Sequence, residues 1–246
     1  MAVRCVLVSV LLCSTSVGAH AADWSTANVQ LLHGSGFELG KDSRSIMTFE
    51  YASRWKYGDT FFFVDATEPA AKGTSLYAEF APRFSLSALS GKKLSFGIVK
   101  DVLIATTQEV GDGVRATLIG PGLALDLPKF AFADLNFYYR KSSRDAVAVQ
   151  SDGGFQVTLD WKLPFTLGSQ QMSFEGFADY AWGERGGTSP KADNVIAAPR
   201  LLIDAGHWVG APGKVQFGIE YQIWHNKFGI RGVDEEVPQV MVKWMF

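Results

Sequence analysis

Acidic and basic side chains recur at even spacing along this sequence. Glu50 is followed by Arg54, and Glu79 by Arg83, four positions later in each case. Even spacing on an extended strand places both side chains on the same face. Carboxylates and guanidinium groups on one face can neutralise each other, and they can also hydrogen-bond the hydroxyl groups of a polar solute. The sequence therefore predicts a charged strand face that could contact such a solute.

Patterns typical of catalysis or metal binding are weak. The histidines His20, His33, His207 and His225 have no metal-ligand spacing, and none lies in an H-E-x-x-H motif. The glycine-rich segment 183–187 lacks the Lys-Ser/Thr and the following helix of a phosphate loop. A G-x-S-x-G nucleophile motif is absent. We therefore expect no catalytic residue, no metal site and no cofactor, and we do not expect an enzyme.

Apolar and polar residues alternate with a period of two in about twelve segments, each near the ~9–11 residues of a tilted membrane strand. In 76–86, 154–163 and 214–224, aromatic and aliphatic side chains occupy one face, and mostly polar or charged side chains the other. The predicted strands are 24–32, 45–55, 59–66, 74–86, 94–108, 114–126, 130–140, 154–163, 170–183, 195–208, 214–225 and 237–246.

The last strand indicates where the apolar faces point. Val240, Val242, Trp244 and Phe246 form an apolar face at the end of the chain. A soluble β-domain could bury such a face, but mixed charges on the opposite faces favour a wet lumen with lipid outside. We predict an all-β fold, a transmembrane antiparallel up-and-down β-barrel of about 12 strands, closed by its C-terminal strand. Girdle residues at the membrane interfaces would be Trp24, Tyr57, Tyr138, Tyr180, Trp182, Trp208 and Trp244.

The links between these strands alternate in length. Short links are expected near 56–58, 88–93, 127–129, 164–169 and 209–213. The longer ones, near 33–44, 67–73, 109–113, 141–153, 184–194 and 226–236, are mostly polar and glycine-rich. Short turns of such barrels lie in the periplasm and long loops outside. Both chain ends are therefore expected in the periplasm.

Residues 1–21 have the pattern of a secretory signal peptide, and residues 22–246 are expected to form a single outer-membrane barrel domain. Both cysteines, Cys5 and Cys13, lie within the signal. No stretch approaches the roughly 20 apolar residues of a membrane helix. A net charge of −2 gives no basic excess for binding nucleic acid. The predicted location is the outer membrane of a Gram-negative bacterium.

Several segments resemble the Tsx-type nucleoside-specific channel-forming proteins. The most specific are Glu79 to Leu86, with the sequence Glu-Phe-Ala-Pro-Arg-Phe-Ser-Leu, and the nearby Leu94 to Gly97. Gly34 to Phe37, Phe174 to Gly183 and Tyr221 to His225 follow the family's order. The resemblance implies a twelve-stranded, monomeric barrel with a narrow, aromatic-lined channel for nucleosides. This chain looks shorter than the best-known members, chiefly in its outer loops.

The resemblance also implies a candidate site, because Phe37 matches an aromatic residue that these channels carry just after their first strand. An ordinary loop phenylalanine packed at the rim is the alternative. Proposed hydrogen-bonding partners for ribose and base edges are Glu50, Arg54, Glu79, Arg83 and Asp179, although any of them could belong to a structural salt network.

The predicted function is passive, selective diffusion of nucleosides across the outer membrane. The expected partners are nucleosides or other small solutes, outer-membrane lipid, and the barrel-assembly machinery, which would bind the C-terminal strand. Alternatives are a channel for another small or partly hydrophobic solute, a non-conducting surface receptor or structural barrel, and an outer-membrane lipid-modifying enzyme.

Overall fold

The computed structural model describes residues 22–70, 73–144, 149–186 and 189–246. The predicted signal peptide, residues 1–21, lies outside this part of the chain. Within it, no helix is long and apolar enough to cross a membrane. Extended strands dominate instead, broken by a short helix α1 (Leu86–Ser90) and by two 3-10 turns at Ala205–Val209 and Lys227–Gly229. The strands are β1 Trp24–Ser35, β2 Ser43–Trp55, β3 Gly58–Ala70, β4 Gly73–Ser85, β5 Val99–Gly111, β6 Val114–Leu125, β7 Phe132–Arg144, β8 Val149–Leu167, β9 Gln170–Gly186, β10 Ser189–Pro190, β11 Asn194–Ala197, β12 Arg200–Asp204, β13 Val215–His225 and β14 Glu235–Met245.

The sheet closes on itself. Consecutive strands from β1 to β9 pair antiparallel, and β14 returns to pair with β1, with Asn28 opposite Met245. Strands β11 and β12 both lie between β9 and β13, so together they occupy one position in the wall. The short β10 only extends the edge of β9. The result is a closed, antiparallel barrel of twelve wall strands, and the predicted fold class is confirmed.

The wall position shared by β11 and β12 is interrupted at Ala198 and Pro199. Proline has no backbone N–H to donate to a ladder, which explains the break in regular pairing. Hydrogen bonds still hold this segment in the wall. The Ala198 N–H donates to the Phe177 carbonyl at 3.0 Å, and the Tyr221 N–H donates to the Pro199 carbonyl at 2.9 Å. The barrel therefore stays closed across the interruption.

Strand β5 begins later than the predicted start at 94. Phe96 and Val99 exchange backbone hydrogen bonds of 3.0 and 2.8 Å in an isolated bridge, which turns the chain just before the strand. Alternation from Leu94 to Ile98 therefore belongs to a link between β4 and β5.

The predicted alternation of link lengths is wrong in several places. We call the end of the barrel that holds Trp24 and Met245 the terminal end, and the opposite end the loop end. At the loop end, only Asp112 and Gly113 join β5 to β6. At the terminal end, by contrast, residues 86–98 form a long link. Polar, glycine-containing sequence at the loop end continues the strands, because a water-exposed strand end needs no apolar alternation.

The predicted strand faces are largely confirmed. Phe80 is 50% exposed on the outer surface, whereas Arg83 forms ion pairs inside the barrel. In β14, the side chains of Val240 and Trp244 are exposed and those of Met241 and Lys243 are buried. The prediction that Tyr138 belongs to an interfacial girdle is wrong. This residue shares its face of β7 with the inward-pointing Asp134, Asn136 and Arg140 and is only 6% exposed.

Candidate functional site

The barrel interior is crossed by ion pairs between distant strands. Arg200 on β12 donates from Nε to Glu220 Oε2 at 2.6 Å and from Nη1 to Glu50 Oε1 at 2.8 Å. Glu50 lies on β2, so the second bond spans the positions of β13, β14 and β1. Lys243 on β14 reaches Glu175 on β9 at 2.6 Å. These side chains reach across the interior to strands that do not pair with their own, and they therefore narrow the lumen on this side of the barrel. We call these five residues the Arg200 cluster.

A second group lies on the other side of the lumen. Arg83 on β4 binds Asp59 with a two-point fork of 2.7 and 2.9 Å, and it also donates to Asp134 on β7 at 3.0 Å. Asn136 Nδ2 donates to Asp160 Oδ2 at 3.3 Å. This fork is the geometry in which guanidinium–carboxylate bonds are strongest, so the position of Arg83 is fixed.

A third group contains acids in excess of bases. Arg140 binds Glu109 through a fork and donates to Gln156 Oε1 at 3.1 Å. Glu79 lies directly opposite Glu109 in the sheet, and its Oε1 accepts a hydrogen bond from the Tyr77 hydroxyl at 2.7 Å. Carboxylates here are close to each other on one face, which provides hydrogen-bond acceptors for a solute with hydroxyl groups.

An inward aromatic ladder runs beside these charges. Phe61 and Phe63 share the face of β3 that carries Asp59, and their ring centroids are 5.9 Å apart. The Phe63 ring lies 5.8 Å from that of Tyr77 on β4. Phe61 lies opposite Ala52 and Ala81, and these small neighbours leave it 39% exposed. We call Phe61, Phe63 and Tyr77 the aromatic ladder.

The ladder was not identified from the sequence. The run Phe61-Phe62-Phe63 places aromatic side chains on both faces, so its period-two signal is ambiguous. The one useful signal is Asp59, two positions before Phe61, because a charged residue on a membrane strand faces inward and so places Phe61 and Phe63 on the inner face.

Phe37 lies in the link between β1 and β2, at the loop end. Its side chain is 5% exposed, and the Arg44 guanidinium lies 4.5 Å from the ring centroid. The next two backbone N–H groups, of Glu38 and Leu39, donate to Glu235 Oε1 at 3.1 and 3.4 Å. These bonds fold the link toward the inner face of β14, so Phe37 is held at the end of the lumen.

Glu235 is itself held in place. It is 1% exposed, and its Oε2 accepts hydrogen bonds from Lys227 Nζ at 2.6 Å and Gln222 Nε2 at 2.9 Å. Lys227 lies in the link before β14, 4.4 Å from the Trp224 ring centroid. Burial lowers the pKa of the Lys227 ammonium group, and the neighbouring Glu235 carboxylate opposes that shift. Lys227 therefore holds the Glu235 carboxylate in place, and Glu235 in turn holds the β1–β2 link through the Glu38 and Leu39 N–H groups.

The six residues proposed from the sequence do not converge on one point. Glu50, Glu79 and Arg83 lie inside the barrel, within the groups above. Asp179 also faces inward, opposite Thr158, with its Oδ1 buried and without a hydrogen-bond partner. Arg54 shares the face of Glu50 but is exposed at the terminal end, whereas Phe37 is buried at the loop end. The set therefore follows the channel from end to end. Among the described residues, no group of three or more His, Cys, Asp and Glu side chains could hold a metal ion.

A closed twelve-stranded barrel, apolar outside and charged within, is an outer-membrane channel of the porin type. The model of the family described as nucleoside-specific channel-forming protein, Tsx, matches residues 19–240, and the chain belongs to this family. The channel is located in the outer membrane of Gram-negative bacteria.

Two curated outer-membrane proteins are similar to this chain in sequence. Outer membrane protein OmpK of Vibrio parahaemolyticus serotype O3:K6 (strain RIMD 2210633) is 30% identical over 203 residues, which cover 70% of this chain and 74% of OmpK. Nucleoside-specific channel-forming protein Tsx of Escherichia coli O157:H7 is 24% identical over 238 residues, covering 84% of this chain and 79% of Tsx. Among solved structures, the KdgM porin is similar in fold, with a TM-score of 0.50, 9% identity and coverage of 91% and 99%.

Proposed function

We propose that this channel carries nucleosides across the outer membrane by passive diffusion. A nucleoside is uncharged, with a flat base and a hydroxyl-rich sugar. The family membership and the Tsx relatives support this solute class. We also propose that this protein has no enzymatic activity.

The observation that carries the proposal is the aromatic ladder next to lumenal carboxylates. Glu50 lies opposite Phe63 on one side, and Glu79 lies opposite Phe63 on the other. A base stacked on Phe61 or Phe63 would therefore place its ribose within reach of acidic acceptors. Stacking of a base on an aromatic ring contributes about 1–3 kcal/mol. Such weak, repeated contacts favour passage, because a tight site would retain the solute.

The first prediction concerns Phe61. Phe61→Leu keeps an apolar side chain but removes the ring, so adenosine and thymidine flux should fall about fivefold, the equivalent of about 1 kcal/mol of lost stacking. Flux of a sugar of similar size should change less than twofold. The measurement is swelling of liposomes that contain the purified protein, at solute concentrations below saturation.

Phe62→Leu is the matched control, because Phe62 carries the same ring on the outer face of the same strand. It should leave both fluxes unchanged. Equal loss of sugar and nucleoside flux in Phe61→Leu would mean that the ring acts only through channel width. If the unmodified protein conducts the sugar but no nucleoside, the channel stands and the assigned solute is wrong.

The second prediction concerns Phe37, our candidate from the family resemblance. Phe37→Ala should lower nucleoside flux more than sugar flux if a base stacks on the ring during entry. In this structure one ring face is covered by Arg44, so Arg44→Gln is the informative companion variant. It should keep or raise nucleoside flux by uncovering the ring. Equal effects of Phe37→Ala on both solutes would indicate steric packing at the rim.

The proposal also covers the state of the protein in the cell. We propose removal of residues 1–21 as a signal peptide and a single barrel domain over 22–246, with both chain ends in the periplasm. The barrel would be monomeric, surrounded by lipid, and delivered by the assembly machinery through β14. The period-two apolar face that ends at Phe246 supports the last point.

A further inference from the structure

An aromatic group marks the membrane boundary on the outer surface at the terminal end. Trp55 on β2 and Phe84 on β4 lie on the outward faces of their strands, with ring centroids 5.7 Å apart. The ring of Tyr57, in the β2–β3 turn, lies 6.3 Å from that of Trp55. Clustered aromatic rings on a barrel exterior are typical of the level where hydrocarbon meets headgroups. Strand β4 ends one residue after Phe84, so the link that follows begins at this level.

The long β4–β5 link is attached to the barrel rim by hydrogen bonds. The Ser85 N–H donates to the Tyr57 carbonyl at 2.8 Å, beside the aromatic group. The Ser85 and Ser87 hydroxyls donate to the two carboxylate oxygens of Asp101 at 2.5 and 2.6 Å. The Leu94 N–H donates to Ser87 Oγ at 2.9 Å. These bonds hold the link against the start of β5, close to the membrane boundary.

Three large apolar side chains of this link are exposed. Leu89, Phe96 and Ile98 have exposed fractions of 53, 62 and 57%. Single exposed apolar residues are ordinary on a protein surface, but several in one short link indicate a surface that contacts lipid or a partner. Because the link begins at the level of the aromatic group, lipid is the contact available to it.

Lysines are interspersed with these apolar side chains. The pair Lys92–Lys93 lies within the link, and Lys100 follows it at a register shift in the ladder between β5 and β6. All three lysines are exposed, and no ion pair within the described residues engages them. The adjacent β6–β7 link contributes Asp126 and Lys129, whose charges cancel. The surface therefore stays basic even when the Asp101 carboxylate is counted.

The composition of this surface indicates what occupies it. Ammonium groups beside exposed apolar side chains fit a lipid with a negatively charged headgroup, whereas a soluble anion would leave the apolar side chains in water. With the chain ends in the periplasm, as proposed above, the terminal end meets the periplasmic leaflet, which consists of phospholipid. We propose that Lys92, Lys93 and Lys100 bind the phosphate of an anionic phospholipid in that leaflet, and that Phe96 and Ile98 insert among its acyl chains.

Lipid binding by the purified channel tests the basic part of this surface. Native mass spectrometry in a neutral detergent would compare phosphatidylglycerol with phosphatidylethanolamine of the same acyl chains. A lysine near an anionic headgroup contributes about a fivefold factor in affinity, so phosphatidylglycerol should bind at least about tenfold more tightly. In the double variant Lys92→Gln with Lys93→Gln, this preference should fall below about threefold.

Lys141→Gln with Lys214→Gln is the matched control, because both lysines are exposed outside the β4–β5 link and the change in net charge is the same. It should keep the full preference for phosphatidylglycerol. Both double variants should show heat-modifiable gel mobility and unchanged nucleoside flux, because no lysine of either pair belongs to the lumenal groups described above.

The depth of the link in the membrane tests the apolar part. A nitroxide attached at Phe96→Cys labels one position in the exported protein, because both cysteines lie in the signal peptide whose removal is proposed above. In vesicles that contain phosphatidylglycerol, this label should be more accessible to oxygen than to a water-soluble nickel chelate. Asp112→Cys, in the exposed turn between β5 and β6, is the control and should show the reverse order.

Three results would overturn the proposal. An equal loss of lipid preference in the control pair would indicate general charge attraction rather than a site. Greater access of nickel than of oxygen at position 96 would place the link in water. Displacement of phosphatidylglycerol by inorganic phosphate at millimolar concentration would assign the lysines to a soluble anion. None of these results depends on which solute the channel carries, so they are separate from a failure of the nucleoside proposal.

Discussion

Replacing Arg200 with methionine is expected to destabilise the folded barrel by about 3–5 kcal/mol, the range for breaking a buried ion pair by removing one partner. Arg200 bonds both Glu50 and Glu220, and all three side chains are at most 14% exposed. Without the guanidinium, Glu220 keeps the Gln239 amide as a donor, at 2.9 Å, while Glu50 keeps the Asn28 amide at 3.2 Å and the more distant Lys243 ammonium at 3.8 Å. Unfolding in denaturant from lipid vesicles, followed by gel mobility, measures the loss.

Two further variants separate the ion pair from general effects of the substitution. Adding Glu50→Gln and Glu220→Gln to Arg200→Met removes the stranded charges, and more than half of the lost stability should return. Arg54→Met makes the same chemical change at an exposed arginine and should stay within about 0.5 kcal/mol of the unmodified protein. A loss below about 1 kcal/mol for Arg200→Met would mean that lumen water solvates the two carboxylates.

The fold could be predicted from the sequence because each wall strand has one face in lipid. Lipid contact requires apolar side chains at every second position, and the twelve predicted segments all correspond to wall strands. The signal fails where the chain leaves the hydrocarbon. Strand β5 continues to Gly111 through polar residues, and alternation from Leu94 to Ile98 occurs in a link. The positions of strand ends that lie outside the membrane therefore cannot be predicted from this alternation.

For the barrel interior, the sequence predicts which residues face inward but not which of them pair with each other. The sequence places Glu50 and Arg83 on inward faces, and the structure confirms this. Their partners could not be predicted, since Arg200 is 150 residues from Glu50 and Asp134 is 51 residues from Arg83. Such pairs depend on barrel closure and strand stagger, which no local pattern contains. Residues that are close in sequence and share a face need not pair with each other: Arg83 pairs with Asp59 and Asp134, and Glu79 accepts a hydrogen bond from the Tyr77 hydroxyl.

The inner face of a barrel also carries apolar residues. For this reason the aromatic ladder could not be assigned to the inner face from the sequence. Leu32, Leu202 and Met241 form a buried inward cluster, and Leu118 packs with Tyr138 in another. An apolar side chain is therefore not diagnostic of the lipid face. Charged residues are diagnostic, because a charge facing hydrocarbon is strongly unfavourable, and Asp59 correctly identifies the inner face of β3.

Replacing Phe80 with arginine is expected to destabilise the barrel by about 2–4 kcal/mol, the range for a basic residue facing lipid near the midplane. Phe80 is near the middle of β4 and 50% exposed on the outer surface, where the guanidinium would meet hydrocarbon. Unfolding from vesicles of a fixed lipid composition measures the change. Permeation by the folded fraction should be unaffected, because the new side chain lies outside the lumen.

Phe61→Arg is the matched control for this face assignment. It makes the same substitution on the inner face, beside Asp59 and among the small side chains of Ala52 and Ala81. Because the lumen is wet and acidic there, stability should change by less than about 1 kcal/mol, while nucleoside flux should fall. Should Phe61→Arg destabilise the barrel strongly and Phe80→Arg prove harmless, the two strands would be assigned to the wrong faces. A register shift of one residue produces that reversal, since it exchanges every inward side chain for an outward one.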